Sequence, residues 1–225
     1  MSLTEKNLTQ KYTCENATIY VCDISELYDL PGVELLTSMR RERMFCYLQH
    51  ADRARCLAAG LMLRYVFGSS QVENILRFPF GKPYLPFGPF FNLSHSGSKV
   101  VLLVGSRELG VDIEKIVPYS HLISQRVFTD CEQMWLNIQR SDEAFFRLWT
   151  GKESIMKALG MGLHLSPESF EISPLPLVPN RVCDNEWFLY WQLLDGHILC
   201  CASTLSDVKY ELIVLNREKL LKQTV

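Results

Sequence analysis

The amino-acid sequence predicts an α+β chain assembled from two similar halves, and three observations carry that expectation. Two long segments show helical periodicity, each is followed by β-rich runs, and RCLAAGLMLRYVFG is weakly similar to LWTGKESIMKALGMG. The boundary is expected near Ser106, which divides the 225 residues into 1–105 and 106–225. A hydrophobic content of 48% supplies a substantial core for either one large domain or two small ones.

In chain order, ATIYVCDI (Ala17 to Ile24) is rich in β-branched residues and predicts a first strand, followed by a turn at Pro31 and Gly32. Ala54, Leu57, Ala58, Leu61 and Tyr65 recur at helical spacing between 51 and 67, and Gly68 closes that helix. Arg77 to Pro89 is dense in proline and glycine and predicts an ordered loop. KVVLLVGS (Lys99 to Ser106) has the length of a buried strand, and GVDIEKI (Gly110 to Ile116) alternates with period two. In the second half, Thr129, Asp130 and Ser141 are helix-cap residue types. Phe145, Trp149, Lys152, Met156 and Leu159 fall on one helical stripe that ends at Gly160 and Gly162. EWFLYWQLL, HILCCAST and KYELIVL read as three strands of one antiparallel sheet.

Twenty-three Lys and Arg against 25 Asp and Glu give a net charge of -2, so no global basic field exists to hold nucleic acid. The polar start MSLTEKNLTQ has no signal-peptide pattern, and no apolar run reaches bilayer length, so a soluble, cytoplasmic protein without membrane association is expected. The eight cysteines are scattered, without paired CxxC spacing, and are expected to serve as buried small apolar residues.

Asp112 and Glu114 lie two apart on a predicted strand, so both carboxylates project from one face while Val111 and Ile113 project from the other. Such a pair is half of a divalent-metal site, or simply the polar face of a strand. On the second helix, Glu153 and Lys157 are neighbours at i and i+4. Lys152 falls on the apolar stripe, where a buried ammonium needs a partner: it either snorkels to the surface or faces a bound anion. Lys82 in GKPY, with Ser94, His95 and Ser96 in FNLSHSG, are phosphate-binding types, although FNLSHSG also suits a polar turn. Adjacent Ser94 and His95 with no GxSxG elbow speak against a serine hydrolase. Arg40, Arg41 and Arg43 interleave with Glu42 as a solvated helix face would. Thr129 and Glu132 have the spacing of a capping box.

Taken together and in order, GKPY, FNLSHSG, GVDIEKI and FFRLWTGKESIMKALGMGL resemble the 4'-phosphopantetheinyl transferase superfamily, above all its long single-chain, surfactin-type group. The likeness spans Gly81 to Leu163 and is looser over Arg40 to Arg64. It implies a pseudo-dimer of two α+β halves with the active site in the cleft between them. Residues 1–105 would bind the coenzyme A nucleotide, and 106–225 would carry the magnesium and catalytic residues. The resemblance assigns Mg2+ to Asp112, Glu114 and Glu153, and contacts to the coenzyme A phosphates to Lys82, Ser94, His95 and Lys157. It assigns the 3'-phosphate to Arg40, Arg43 and Arg55, with Arg77 as a further basic candidate, and leaves Glu132 between cap and site. The implied reaction is transfer of 4'-phosphopantetheine from coenzyme A to a serine of an apo acyl or peptidyl carrier protein, with Glu153 and Lys157 catalytic. A monomer is expected; His121 to Arg140 is a candidate docking face for the carrier, with Leu122, Val127, Phe128, Met134 and Trp135 serving either as apolar contacts to it or as core packing. The competing readings are a noncatalytic module binding coenzyme A or a carrier, and a metal-dependent phosphohydrolase.

Overall fold

The structure is a computed structural model that describes residues 16–176 and 178–222; the readings made on MSLTEKNLTQ and Cys14 lie outside the described residues. Its layers follow from strand alternation. β1 (Asn16–Asp23) sends Tyr20 and Cys22 to one face and Ile19 and Val21 to the other. It pairs antiparallel with β5 (Lys99–Gly105), Tyr20 opposite Leu102, and β5 pairs antiparallel with β4 (Phe90–Ser96). All seven residues of β5 are buried, because both of its faces are covered. Val100, Leu102 and Val104 meet a helix, while Val101 and Leu103 meet a second sheet.

That helix is the second of two. α1 (Ser38–Cys46) precedes α2 (His50–Phe67), which lays Leu57, Ala58 and Leu61 into the core of the first half. A one-turn α3 (Ser69–Val72) follows. The proline-rich segment expected as a loop is pinned by a two-residue hairpin, β2 (Leu76–Arg77) with β3 (Pro83–Tyr84). FNLSHS is strand throughout, since it forms most of β4, and only Gly97 turns, with φ 54°.

The second half repeats the connectivity. β6 (Leu109–Lys115) leads through α4 (His121–Val127) and α5 (Asp130–Gln139) to α6 (Asp142–Leu159). The Ser141 hydroxyl caps α6 by accepting from Ala144 N, and Gly160 ends it at φ 70°. A hairpin of β8 (Asn185–Leu194) and β9 (His197–Ser203) then places β9 against β6, with short β7 (Asn180–Val182) outside β8. Hence β1-β5-β4 in one sheet matches β6-β9-β8 in the other. The faces carrying Ile19, Val21, Val101 and Leu103 on one side and Val111, Ile113, Leu199 and Cys201 on the other form a shared core, giving a helix, sheet, sheet, helix stack.

One strand departs from expectation. KYELIVL does not close the antiparallel sheet of the second half; as β10 (Lys209–Val214) it pairs parallel with β1, Asn16 opposite Lys209. Composition marks it as a strand but says nothing of its partner. A one-turn α7 (Arg217–Leu221) follows, with Leu220 in the core of the first half. The cysteines divide: Cys22, Cys56, Cys200 and Cys201 are buried as expected, whereas Cys46, Cys131 and Cys183 are exposed. Among the described residues no helix is long and apolar enough to cross a membrane.

Candidate active site

Gly110 sets how closely α6 approaches β6. A Cβ there would overlap the Ser154 carbonyl and the Ala158 amide, so the glycine lets helix backbone lie directly on the strand. The even-numbered residues of β6 therefore face α6 at short range, and Asp112 and Glu114 meet Lys157 and Glu153.

Asp112 is buried, and its Oδ1 accepts from Lys157 Nζ at 2.5 Å and from Ser94 Oγ at 2.8 Å. Its Oδ2 is buried without a partner. Glu114 accepts from Ser96 Oγ at 2.5 Å. Burial raises the Glu114 pKa; the Ser96 bond lowers it, the Asp112 charge raises it, and Lys157 and the Trp149 indole lower it. Burial likewise raises the Glu153 pKa, Asp112 adds to the rise, Lys157 opposes it, and Glu114 adds a further rise. The three carboxylates thus feel one another, with one lysine among them.

Among the described residues no three Asp, Glu, His or Cys side chains close around a single point. The donor set nevertheless fits a hard divalent cation: the carboxylates are all oxygen ligands, and the buried Asp112 Oδ2 is an acceptor in want of a positive partner.

On the other side of the cluster, Lys157 Nζ also donates to Ser94 Oγ at 2.8 Å. His95 is exposed beside it; partial desolvation and the positive charges of Arg55 and Lys157 lower its pKa, which favours the neutral ring. Arg55 donates to Gly97 O at 2.7 Å and pairs with Asp52 at 2.6 Å, tying α2 to the β4–β5 turn. Arg40, Arg43 and Arg77 form a second group. Burial lowers the Arg40 pKa, and Arg43 and Arg77 lower it further, so these three guanidiniums lie close enough to repel. They hydrogen-bond only neutral groups in the bonds seen here: Arg40 the Cys56 carbonyl, Arg43 the Tyr47 hydroxyl and Arg77 the Gly81 carbonyl. Mutually repelling cations held this way are suited to a polyanion.

Two lysines already have protein partners. Lys82 donates to the Ala158 carbonyl near the end of α6 and lies 3.6 Å from Glu108, so its ammonium completes a helix C-terminus. Lys152 neither snorkels nor faces an anion site. It is wholly buried, 2.8 Å from Glu132 Oε2, and donates to Pro167 O at 2.7 Å and Phe170 O at 2.5 Å. Glu132 completes the capping box with Thr129, and its Oε1 accepts from Ile172 N at 2.8 Å. The Thr129 and Glu132 spacing announces the cap; nothing local announces the lysine 20 residues later that shares the carboxylate.

A chain that gathers three carboxylates and a lysine between β6 and α6, and a group of arginines on α1 and β2, has the equipment to handle a phosphorylated substrate. Residues 108–204 match the family model of the 4'-phosphopantetheinyl transferase superfamily. A 4'-phosphopantetheinyl transferase of Bacillus subtilis is 37% identical over 190 residues, covering 80% of this chain and 81% of that protein. The 4'-phosphopantetheinyl transferase gsp of Aneurinibacillus migulanus is 35% identical, covering 72% and 73%. HetI of a Nostoc strain, with the same description, is 30% identical over 76% of each chain. This chain belongs to the 4'-phosphopantetheinyl transferase superfamily.

Proposed function

We propose that this chain transfers the 4'-phosphopantetheine group of coenzyme A to a serine hydroxyl of an apo acyl or peptidyl carrier protein, releasing adenosine 3',5'-bisphosphate. The observation that carries the proposal is the meeting of Asp112, Glu114, Glu153 and Lys157 between β6 and α6, with Ser94 joined to two of them across the seam. In this reading the chain is a pseudo-dimer, β1, α2 and the β4–β5 hairpin being repeated as β6, α6 and the β8–β9 hairpin, with the active site where the halves meet. Residues 1–105 supply nucleotide contacts and 106–225 the reaction centre, while β10 crosses back to complete the first sheet. A single chain holds every residue the reaction needs, and a cytoplasmic monomer is the expected form.

The β-phosphorus of coenzyme A carries negatively charged oxygens that repel an incoming hydroxyl. Arg40, Arg43, Arg77 and Arg55 orient the nucleotide through its 3'-phosphate, and His95 and Ser94 approach the pyrophosphate. Lys82, which donates to the Ala158 carbonyl without ligand, turns its ammonium to a phosphate oxygen when coenzyme A binds. Magnesium held by Asp112, Glu114 and Glu153 supplies charge neutralisation at the pyrophosphate. Glu153 takes the serine proton onto its carboxylate. Lys157, released from Asp112, turns its ammonium to the bridging oxygen on which charge builds as the bisphosphate departs. Leu122 and Met134, 72% and 60% exposed, offer the carrier apolar contacts; Phe128 is core, so the expected docking face narrows to residues outside it.

The experiment is incubation with magnesium, coenzyme A and an apo carrier, followed by the carrier's mass. Gain of one phosphopantetheinyl group supports the reading, and free phosphate or unmodified carrier overturns it. Asp112→Ala and Glu153→Gln are each expected to lower the transfer rate by about 100-fold or more while the circular dichroism spectrum is unchanged.

A further inference from the structure

We infer that Ser96 is a positioning residue for Glu114, and that the seam between β4 and β6 sets how the carboxylates of β6 are presented. The inference rests on the transferase reading and on the magnesium assigned with it.

β6 is the outer strand of its sheet, so one side of it has no neighbour in the backbone ladder. On that side the N–H groups of Val111, Ile113 and Lys115 meet β4, the outer strand of the other sheet, and find side chains in place of carbonyls. Asn92 Oδ1 accepts from Val111 N at 3.0 Å, Ser94 Oγ from Ile113 N at 3.4 Å and Ser96 Oγ from Lys115 N at 3.1 Å. Donor and acceptor both advance by two, so the strands run in the same direction and each contributes one face to the seam. Two sheets are therefore joined at their edges by an Asn-x-Ser-x-Ser ladder.

Two of the three rungs do more. A serine hydroxyl has one proton to give and lone pairs to receive. At Ser96 the acceptor side is engaged by Lys115 N, and the proton goes to Glu114 Oε2 at 2.5 Å. At Ser94 the acceptor side is engaged by Ile113 N and Lys157 Nζ, and the proton goes to Asp112 Oδ1 at 2.8 Å. In each case the serine holds a carboxylate and the backbone N–H immediately after it, so the strand register fixes the angle of the acid. The remaining rung lacks this second duty, because the residue before Val111 is Gly110 and has no carboxylate to hold. Asn92 is thus a control within the molecule: it carries the seam alone, whereas Ser96 carries the seam and an acid.

Outer residues that orient a metal-binding carboxylate are commonly worth about 10- to 100-fold in metal affinity. Three variants separate the two duties, with magnesium affinity measured by calorimetry without coenzyme A or carrier, and the melting temperature recorded in excess chelator. Ser96→Ala is expected to weaken magnesium binding about tenfold, Ser96→Thr, which keeps a hydroxyl, to restore it, and Asn92→Ala to lower the melting temperature with magnesium affinity unchanged. Should the alanine variant fail to fold, Ser96→Cys, a weak donor of similar size, is expected to show the same loss. Wild-type affinity in Ser96→Ala, or an equal loss in Asn92→Ala, overturns the inference. The carrier mass assay on wild-type protein tests the transferase reading separately: absence of transfer defeats that reading, whereas intact transfer with an unmoved magnesium affinity in Ser96→Ala defeats only this one.

Discussion

β1 and β6 occupy equivalent places in their sheets, yet their outer edges are covered in opposite ways. β1 is covered by β10, which arrives from the far end of the chain and pairs with it through a parallel backbone ladder. β6 is covered by the side chains of Asn92, Ser94 and Ser96. The faces turned to the helices differ in the same sense: β1 gives α2 Tyr20 and Cys22, whereas β6 gives α6 Asp112 and Glu114. A backbone ladder stabilises a strand without engaging its side chains. A side-chain ladder also supplies hydroxyl protons, and acids on the strand have need of them. The half whose strand bears the paired carboxylates is the one whose edge is closed with polar side chains.

The contrast extends to what each half loses when disturbed, and the largest effect belongs to the second. Glu132→Gln preserves an acceptor for the capping box, and from the cap alone little change would follow. It also leaves the Lys152 ammonium, fully buried, without its counter-charge. Burial already lowers the Lys152 pKa and Glu132 opposes that fall, so the variant is expected to lose about 3–5 kcal/mol in urea unfolding. A loss of the size of a helix cap, about 1 kcal/mol, would show that the carbonyls of Pro167 and Phe170 alone sustain the charge.

Glycine comes next. A methyl group at Gly110 overlaps backbone of α6, which cannot step aside, and Gly110→Ala is expected to cost about 3 kcal/mol. At Gly60 in α2 the nearest atoms to the corresponding methyl belong to the side chains of Leu36 and Arg40, which yield more readily than backbone, and alanine raises helix propensity by about 1 kcal/mol. Gly60→Ala is expected to change the unfolding midpoint little. Equal losses at the two sites would mean that α2 lies as tightly on its sheet as α6 does.

The sequence shows these halves unequally, for physical reasons. Strand and helix positions follow local periodicity, so α2, α6, β5 and β6 are legible, as are Asp112 and Glu114 on one face of β6 and Glu153 with Lys157 on α6. The partner of β10 is not legible, because pairing is decided by nearly 200 residues of intervening chain. Lys152 and Lys82 bond carbonyls from distant segments, which leave no trace near either lysine. Asn92, Ser94 and Ser96 do leave one: three polar residues at period two in a run bounded by Phe91 and Gly97. Read as a strand with one polar face, FNLSHS announces a seam; read as a turn, it hides one.

The smallest expected effect tests a second tie between the sheets. Lys99, at the start of β5, pairs with Asp23 at the end of β1 at 3.1 Å and with Asp195 in the β8–β9 turn at 2.8 Å. Burial would raise the Asp23 carboxyl, but the Ser25 amide and hydroxyl, Lys99 and Ser98 outweigh it and bring the pKa down from 3.8 to about 2. A depressed carboxylate contributes stability that is fully present above the unfolded value and lost as pH falls through the folded one. The advantage of wild type over Asp23→Asn is therefore expected to be constant above pH about 4 and to shrink between about 4 and about 2. Asp23 is 35% exposed and screened by solvent, so that advantage is expected to stay below about 1 kcal/mol. Urea midpoints of the two proteins at pH 5 and pH 2.5 measure it; a difference that grows on acidification would place the stabilising proton on the wrong side of the pair.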